Sequence, residues 1–236
     1  MDRSRQKAFS LAIEMTSRSS SVALGCEDQF LESRQLPEPR RHSTDLMATI
    51  DALCLRHGAR VPALGQIFVS IGPGSFTGLR IAITTANILG RITGAQLLGV
   101  PTVDVVAQNA PPMPNGVEHV AVCLNLKRQT MWAGLFDWDG IRFAARQPPS
   151  LLTLQEVLHQ APRPLAILGH PLPDSPELDS DVSVLPAELA IARSDIVWQL
   201  GRTLSQHQDF AEPGALRPLY VRPPEAQELW NQRHAR

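Results

Sequence analysis

Residues 67–94 read IFVSIGPGSFTGLRIAITTANILGRITG, and the rest of the chain can be placed around this stretch. A short apolar run of β-branched and aromatic residues is followed by a glycine-rich turn and an apolar segment of helical length, an order that predicts strand, loop and helix. Gly72 and Gly74 permit backbone angles that other residues disfavour, and Ser75 or Thr77 can cap the helix. Unpaired backbone N–H groups therefore converge at a helix N-terminus.

The predicted helix N-terminus would attract anions, because its N–H groups are free and the helix dipole is positive there. The stretch nevertheless departs from both common phosphate-binding motifs. Leu79 follows Gly78 where a P-loop has lysine, and the spacing from Gly74 to Gly78 does not fit GxGxxG. Two interpretations stay open. One is a tight turn with no ligand, and the other is a degenerate phosphate loop of Gly72, Gly74, Ser75 and Gly78 that binds ATP or ADP weakly.

The predicted helix is apolar on two nearly opposite faces. At about 100° per residue, one stripe contains Leu79, Ala82, Ile83 and Ala86, and the other contains Ile81, Ile88 and Ile92. We expect one face to contact the helix's own sheet and the other to contact another domain or another subunit. The pattern does not indicate which stripe faces the partner.

The order of the remaining elements predicts an α/β protein with an internal duplication. The first half reads as three short strands, a helix from Ser43 or Thr44 to Gly58, the stretch quoted above, a further strand and a short helix. After a proline-rich linker at 111–116, a reduced copy follows, with three strands, a helix, a strand and one long helix from Pro186 to about Gln206. We therefore expect subdomains at 1–110 and 111–211 and an extended tail at 212–236.

The composition is that of an ordinary globular protein, with 43% hydrophobic residues in 236 and a formal charge of −1. This charge argues against a broad nucleic-acid-binding face, which needs a surplus of Lys and Arg. Three widely spaced cysteines predict neither disulfides nor a metal site. The apolar run near the N-terminus is too short for a signal peptide, and no stretch approaches a membrane span, so we expect a cytoplasmic protein.

Several motifs together resemble the TsaB (YeaZ) family, the glycoprotease-like, non-catalytic partner in bacterial synthesis of threonylcarbamoyladenosine on tRNA. The run GPGSFTGLRIAITTANILG resembles the family's signature, LAIEMTSRSSSVAL its first hairpin, RHSTDLMATIDAL its first helix and RPLYVRPPEA its terminal segment. The region from Pro111 to Asp209 matches more loosely. The resemblance implies two tandem ribonuclease-H-like subdomains of the actin/Hsp70-like (ASKHA) fold, the second one reduced.

The resemblance also implies partners. The catalytic homologue TsaD would bind through a helix bundle, the ATPase TsaE would complete the complex, tRNA would be reached only through the complex, and the isolated chain would form a homodimer through the same surface. The residues expected at this interface are Leu46, Met47, Ile50, Leu79, Ile81, Ile83, Ile88 and Ile92.

The sequence predicts no catalytic or metal site. Glu14 and Met15 stand where the family commonly has Asp-Thr, and Asn125 stands where the resemblance would place an aspartate, so a Mg²⁺ site loses its ligands. No HExxH motif is present, and Ser75 lacks the GxSxG frame of a nucleophile. The alternative is a stand-alone nucleotide-binding ATPase or peptidase of the glycoprotease-like class.

Overall fold

The structure is a computed structural model that describes residues 9–17, 19–37, 42–112, 116–127, 129–169, 178–207, 210–221 and 230. In the first half these residues form β1 (Phe9–Glu14), β2 (Ser21–Cys26), β3 (Gln29–Gln35), α1 (His42–Arg56), β4 (Leu64–Gly72), α2 (Phe76–Thr93), β5 (Gln96–Pro101) and α3 (Thr102–Ala107). In the second half they form β6 (His119–Lys127), β7 (Thr130–Trp138), β8 (Phe143–Ala145), β9 (Ser150–Thr153), α4 (Leu154–Gln160), β10 (Leu165–Gly169), β11 (Val182–Val184) and α5 (Ser194–Leu204).

The described strands form two mixed sheets with the same succession of strand directions. The first has the order β3-β2-β1-β4-β5, in which β1, β2 and β3 are antiparallel neighbours and β4 and β5 run parallel to β1. The second has the order β11-β10-β6-β7-β8 with the same directions, and β9 pairs with β7. The α/β prediction is confirmed, whereas the assignment to tandem ribonuclease-H-like subdomains and their boundaries stay predictions.

Helices α3 and α5 lie between the two sheets, and α1 and α2 cover the outer face of the first sheet. The central core joins side chains of both sheets, such as Phe68 and Phe136, with apolar side chains of α3 and α5. A second core joins Leu11 and Ile67 of the first sheet to α1 and α2. Strand β1 is therefore buried on both faces, which explains why apolar residues occupy both of its faces instead of alternating with exposed polar ones.

Helix α5 follows the second sheet in sequence but packs on the first. The Trp198 indole N–H donates to Ser10 Oγ at 2.8 Å, and the Ser194 backbone N–H donates to Ser21 Oγ at 3.2 Å. Both acceptors lie on the inner face of the first sheet. The two sheets are thus linked by this helix as well as by the apolar core.

The prediction of a single long helix from Pro186 to about Gln206 is wrong. A 3₁₀ turn at Ala187–Ala190 is separated from α5 by extended backbone up to Arg193. The Asn109 side-chain amide donates to the carbonyl oxygens of Leu189 and Ile191, both at 2.8 Å. These two hydrogen bonds, from a residue just after α3, stabilise the non-helical backbone between the 3₁₀ turn and α5. None of the described helices is long and apolar enough to cross a membrane.

Candidate functional site

The glycine-rich loop connects β4 to α2 as the sequence predicts. Gly72 ends β4 with a φ of 116°, and Ser75 is the N-cap of α2, where its hydroxyl accepts from the Gly78 backbone N–H at 3.2 Å. The helix ends at Gly94, whose φ of 74° is left-handed. Both helix ends are therefore encoded locally, by a serine cap and a glycine.

Close packing against the turn after β1 explains two of the loop glycines. A Cβ at Gly74 would overlap Thr16, and a Cβ at Gly78 would overlap the Met15 carbonyl oxygen. The Ser75 backbone N–H donates to the Thr16 carbonyl oxygen at 2.7 Å, so it is not free for a ligand. The loop thus has a structural reason for its glycines, and nucleotide binding by it stays a prediction.

The C-terminal tail lies against the first turn of α2. The Leu219 backbone N–H donates to the Ile71 carbonyl oxygen at 2.7 Å. The Tyr220 and Phe76 rings contact each other with centroids 5.0 Å apart, and the Arg80 guanidinium lies 4.0 Å from the centre of the Phe76 ring. The tail therefore packs beside the glycine loop and the first turn of α2.

The Glu14 carboxyl is fully buried at the end of β1 and faces the inner side of the first sheet. Its Oε1 accepts hydrogen bonds from the backbone N–H of Thr16, at 2.6 Å, and from the Thr16 hydroxyl. Burial raises the pKa of Glu14, against the opposing effect of hydrogen bonds from Ser70 and Thr16. A carboxyl in this setting does not offer a hydrated Mg²⁺ site.

The described residues contain no group of three His, Cys, Asp or Glu side chains that could hold a metal ion. Burial raises the pKa of the Cys54 thiol to about 11 and that of the Cys123 thiol to about 12, which suppresses the reactive thiolate form of both. The side chain of Asn125 lies outside the described residues.

The burial of α2 separates its two apolar stripes. Leu79 and Ile83 are buried in the core under the helix, so this stripe faces the sheet. On the other stripe Ile81 is half-buried, while Ile88 is 51% and Ile92 is 72% exposed. Ile81 also packs against the core beneath the helix, so Ile88 and Ile92 are the members of the two stripes that are accessible to a partner.

Helix α1 also has an exposed apolar side. Leu46 and Ile50, both expected at an interface, are fully buried and support the helix from beneath, whereas Met47 is 39% exposed. Leu55, which the sequence analysis did not select, is 53% exposed. At about 100° per residue Leu55 lies nearly opposite the buried Leu46 and Ile50, and this position could have identified it as an outward-facing residue.

The exposed apolar side chains of α1 and α2 lie on the outward sides of two neighbouring helices, and we call this set of side chains the outer helix face. The two helices contact each other on the same side of the first sheet, so the sides turned away from their shared core point outward together. The members of the outer helix face are Met47, Leu55, Ile88 and Ile92.

Comparison with known proteins gives one consistent result. A family model described as TsaD: tRNA N6-adenosine threonylcarbamoyltransferase matches residues 36–159, just over half of the chain. The tRNA threonylcarbamoyladenosine biosynthesis protein TsaB of Bacillus subtilis is 24% identical over 229 residues, which cover 93% of this chain and 96% of that protein. TsaB of Escherichia coli is 30% identical over 126 residues, which cover 52% of this chain and 53% of that protein.

A solved structure shows the same fold. YeaZ from Pseudomonas aeruginosa superposes with a TM-score of 0.73 at 22% identity, covering 90% of this chain and 99% of that chain. At this level of identity the likeness establishes the fold alone.

Proposed function

This chain belongs to the TsaB (YeaZ) family, and on that premise we propose that it takes part in the biosynthesis of threonylcarbamoyladenosine on tRNA as a non-catalytic subunit. Its task is to bind a TsaD homologue, the catalytic subunit, through a helix bundle. Contact with tRNA is made only through the complex, and a TsaE ATPase completes the assembly. The chain has no activity alone.

The observation that carries this proposal is the outer helix face. Burial of apolar surface stabilises by about 25 cal/mol per Å², so two half-exposed isoleucines and a half-exposed leucine on neighbouring helices favour association. The helix pair presents them on one side while its other side is fixed on the sheet. Two helices of a partner would complete a four-helix arrangement on this platform.

The test is co-purification of the tagged chain with its host's TsaD homologue. Ile88→Asp should weaken binding by at least about 100-fold, because a partner would bury the carboxylate at a cost of several kcal/mol. Ile88 is half exposed in the single chain, so the variant should still fold, which its circular dichroism spectrum and a cooperative unfolding transition check. Ile141→Asp is the matched control, since Ile141 is 87% exposed on the loop between β7 and β8 and belongs to another surface.

Loss of binding in Ile88→Asp, with binding retained in Ile141→Asp, would support the proposal. If the folded Ile88→Asp variant binds as tightly as the unmodified chain, the outer helix face is not the site of association.

The alternative function, a stand-alone ATPase or peptidase, is favoured by a single feature, the glycine loop at the start of α2. Against it stand the buried carboxyl of Glu14, the tail beside the loop and the high pKa values of the Cys54 and Cys123 thiols. Any bound ATP or ADP would be held weakly by Gly72, Gly74, Ser75 and Gly78 or at the partner interface. Mg²⁺-dependent ATP hydrolysis by the purified chain, abolished by Glu14→Ala, would establish the alternative.

A further inference from the structure

The C-terminal tail, residues 210–221, runs along one flank of α2. Near the end of the helix Arg91 Nε donates to the Pro213 carbonyl oxygen at 3.4 Å, and at its start the Phe76 ring contacts the Tyr220 ring. At about 100° per residue, all the α2 side chains that contact the tail fall within a sector of about 60°. These side chains are Phe76, Arg80, Asn87 and Arg91.

This flank borders the exposed apolar side of α2. Exposed Thr84 follows Arg80 by four positions, and Ile88 follows Thr84 by four more, so each is the surface neighbour of the next. Ile88 is also three positions before Arg91. A partner helix is about 10 Å wide with its side chains. A partner that covers Ile88 and Ile92 therefore reaches the flank on which the tail lies.

The flank carries a positive charge that nothing described on this chain neutralises. Arg80 and Arg91 are the two charged residues of Phe76–Thr93, and both are exposed. Neither forms an ion pair with a described carboxylate. A surface that meets this edge gains from acidic side chains and loses from basic ones.

Arg80 is held in one position although it is exposed. Its guanidinium carbon lies 4.0 Å from the centre of the Phe76 ring, and its Nε donates to the Tyr220 hydroxyl at 3.3 Å. Its two Nη groups have no acceptor among the described residues. The helix dipole does not account for an arginine here, because it favours cations near the other end of the helix.

The Tyr220 hydroxyl adds a second donor beside Arg80. Its oxygen accepts from Arg80 Nε, so its own hydrogen is directed elsewhere, and the side chain is 41% exposed. A guanidinium and a phenol O–H side by side match the two oxygens of a carboxylate. A nucleic-acid phosphate is less suited, because backbone binding needs several cations and this edge has two arginines beside exposed isoleucines.

We propose that Arg80 and Tyr220 bind a carboxylate side chain of the partner that covers the outer helix face. Arg91 faces the same acidic edge of that partner. This inference rests on the proposed function, in which the partner is a TsaD homologue. It adds the tail to the binding surface and requires that the partner's apolar helices carry an acidic residue on the side next to the tail.

The test is calorimetric binding of the chain to its host's TsaD homologue, without tRNA, at low and at high salt. Arg80→Ala should raise Kd about 10-fold at low salt, the loss expected for one hydrogen-bonded charge. The salt dependence of Kd should become weaker, because one charged contact is gone. Arg142→Ala is the matched control, since Arg142 lies on the loop between β7 and β8, and it should bind like the unmodified chain.

Tyr220→Phe separates recognition from a structural effect on the tail. The variant keeps the ring contact with Phe76 and removes only the hydroxyl. We expect a smaller but measurable rise of Kd, with the tail still protected from proteolysis. If Arg80→Ala weakens binding equally at both salt concentrations and Tyr220→Phe binds like the unmodified chain, Arg80 only positions the tail and the proposal is overturned.

The remaining outcomes distinguish this inference from the proposed function. If the unmodified chain does not bind the homologue, both fail. If it binds, and Ile88→Asp abolishes binding while Arg80→Ala changes neither Kd nor its salt dependence, only the carboxylate contact is wrong. Unchanged binding of Arg80→Ala to the homologue, together with weaker binding to tRNA alone, would identify a phosphate as the ligand and also overturn the proposal.

Discussion

Gly78 belongs to the glycine-rich loop that is conspicuous in the sequence, and in the structure it is needed for close backbone packing. Sequence reasoning placed it correctly at the start of a helix and left open whether the loop holds phosphate. What the sequence could not give is the neighbour, because Met15 lies 63 positions earlier in the chain numbering and meets Gly78 only through the packing of β1 beside β4. The close approach of the two backbones accounts for the absence of a side chain.

At this scale we expect Gly78→Ala to destabilise the fold by about 1–3 kcal/mol, because the new methyl group would overlap the Met15 carbonyl oxygen. Gly65→Ala is the matched control, since a Cβ there would meet only the Phe9 carbonyl oxygen at an ordinary 3.8 Å. Denaturant unfolding of the two variants measures the difference. Equal stability of both would show that the β1 turn and the loop can move apart freely.

Glu14 is a second residue whose position at a strand end was predicted and whose complete burial was not. The first of the three predicted strands is observed at Phe9–Glu14, where mostly apolar residues precede the polar Glu14. The burial of its carboxyl brings it beside Ser70 of β4, and no local pattern reports a contact between segments so far apart.

Helix α2 is the element that was predicted most accurately, because the residues that determine its start, its faces and its end lie within or next to its own sequence. Its cap at Ser75, its apolar stripes and its terminal Gly94 are all visible in sequence. Strands β9 and β11 were missed, since each is short and lies at a sheet edge or beside a helix start. The beginning of α4 could have been found from Thr153 and Glu156, which form a capping box.

Helix α2 is also held by the tail, and Asn87 is the connecting residue. Its Oδ1 accepts from the Gly214 backbone N–H at 2.7 Å, and its Nδ2 donates to the Leu216 carbonyl oxygen at 3.1 Å. We expect Asn87→Ala to release the tail and to speed proteolytic cleavage after Ala211, while α2 stays folded. Asn87→Asp keeps the acceptor for Gly214 and should give an intermediate rate. Cleavage unchanged in both variants would mean that the other tail contacts, such as the hydrogen bond from Leu219 to Ile71, fix the tail without Asn87.

For the whole molecule, the α/β class and the family could be predicted from sequence, and the arrangement between the halves could not. The repeated order of strands was visible because each half has its own alternation of strands and helices. The crossing of α5 onto the first sheet was not visible, because its apolar side would fit either sheet. The same limit applied to α2: the sequence indicates two apolar stripes, but only the burial of the side chains in the structure shows which of them is accessible.

An accessible apolar face on an isolated chain predicts self-association. We expect the purified chain to form a homodimer through the outer helix face, because pairing two copies buries the same isoleucines that a TsaD homologue would cover. Sedimentation should show a dimer that Ile88→Asp converts to a monomer and Ile141→Asp leaves intact. A monomer at high micromolar concentration in the unmodified chain would count against this surface.

The most direct test of the central claim is threonylcarbamoyl transfer to tRNA in a reconstituted mixture of this chain, its host's TsaD homologue and the TsaE ATPase. We predict that Ile88→Asp abolishes transfer although it remains folded, with the far-UV circular dichroism of the unmodified chain and a cooperative unfolding transition, and that Ile141→Asp supports transfer like the unmodified chain. Ser75→Ala should also remain active, since it loses only a helix cap worth about 0.5–2 kcal/mol. A folded Ile88→Asp variant that supports full transfer, together with an inactive Ser75→Ala, would contradict the account and identify the glycine loop as the working site.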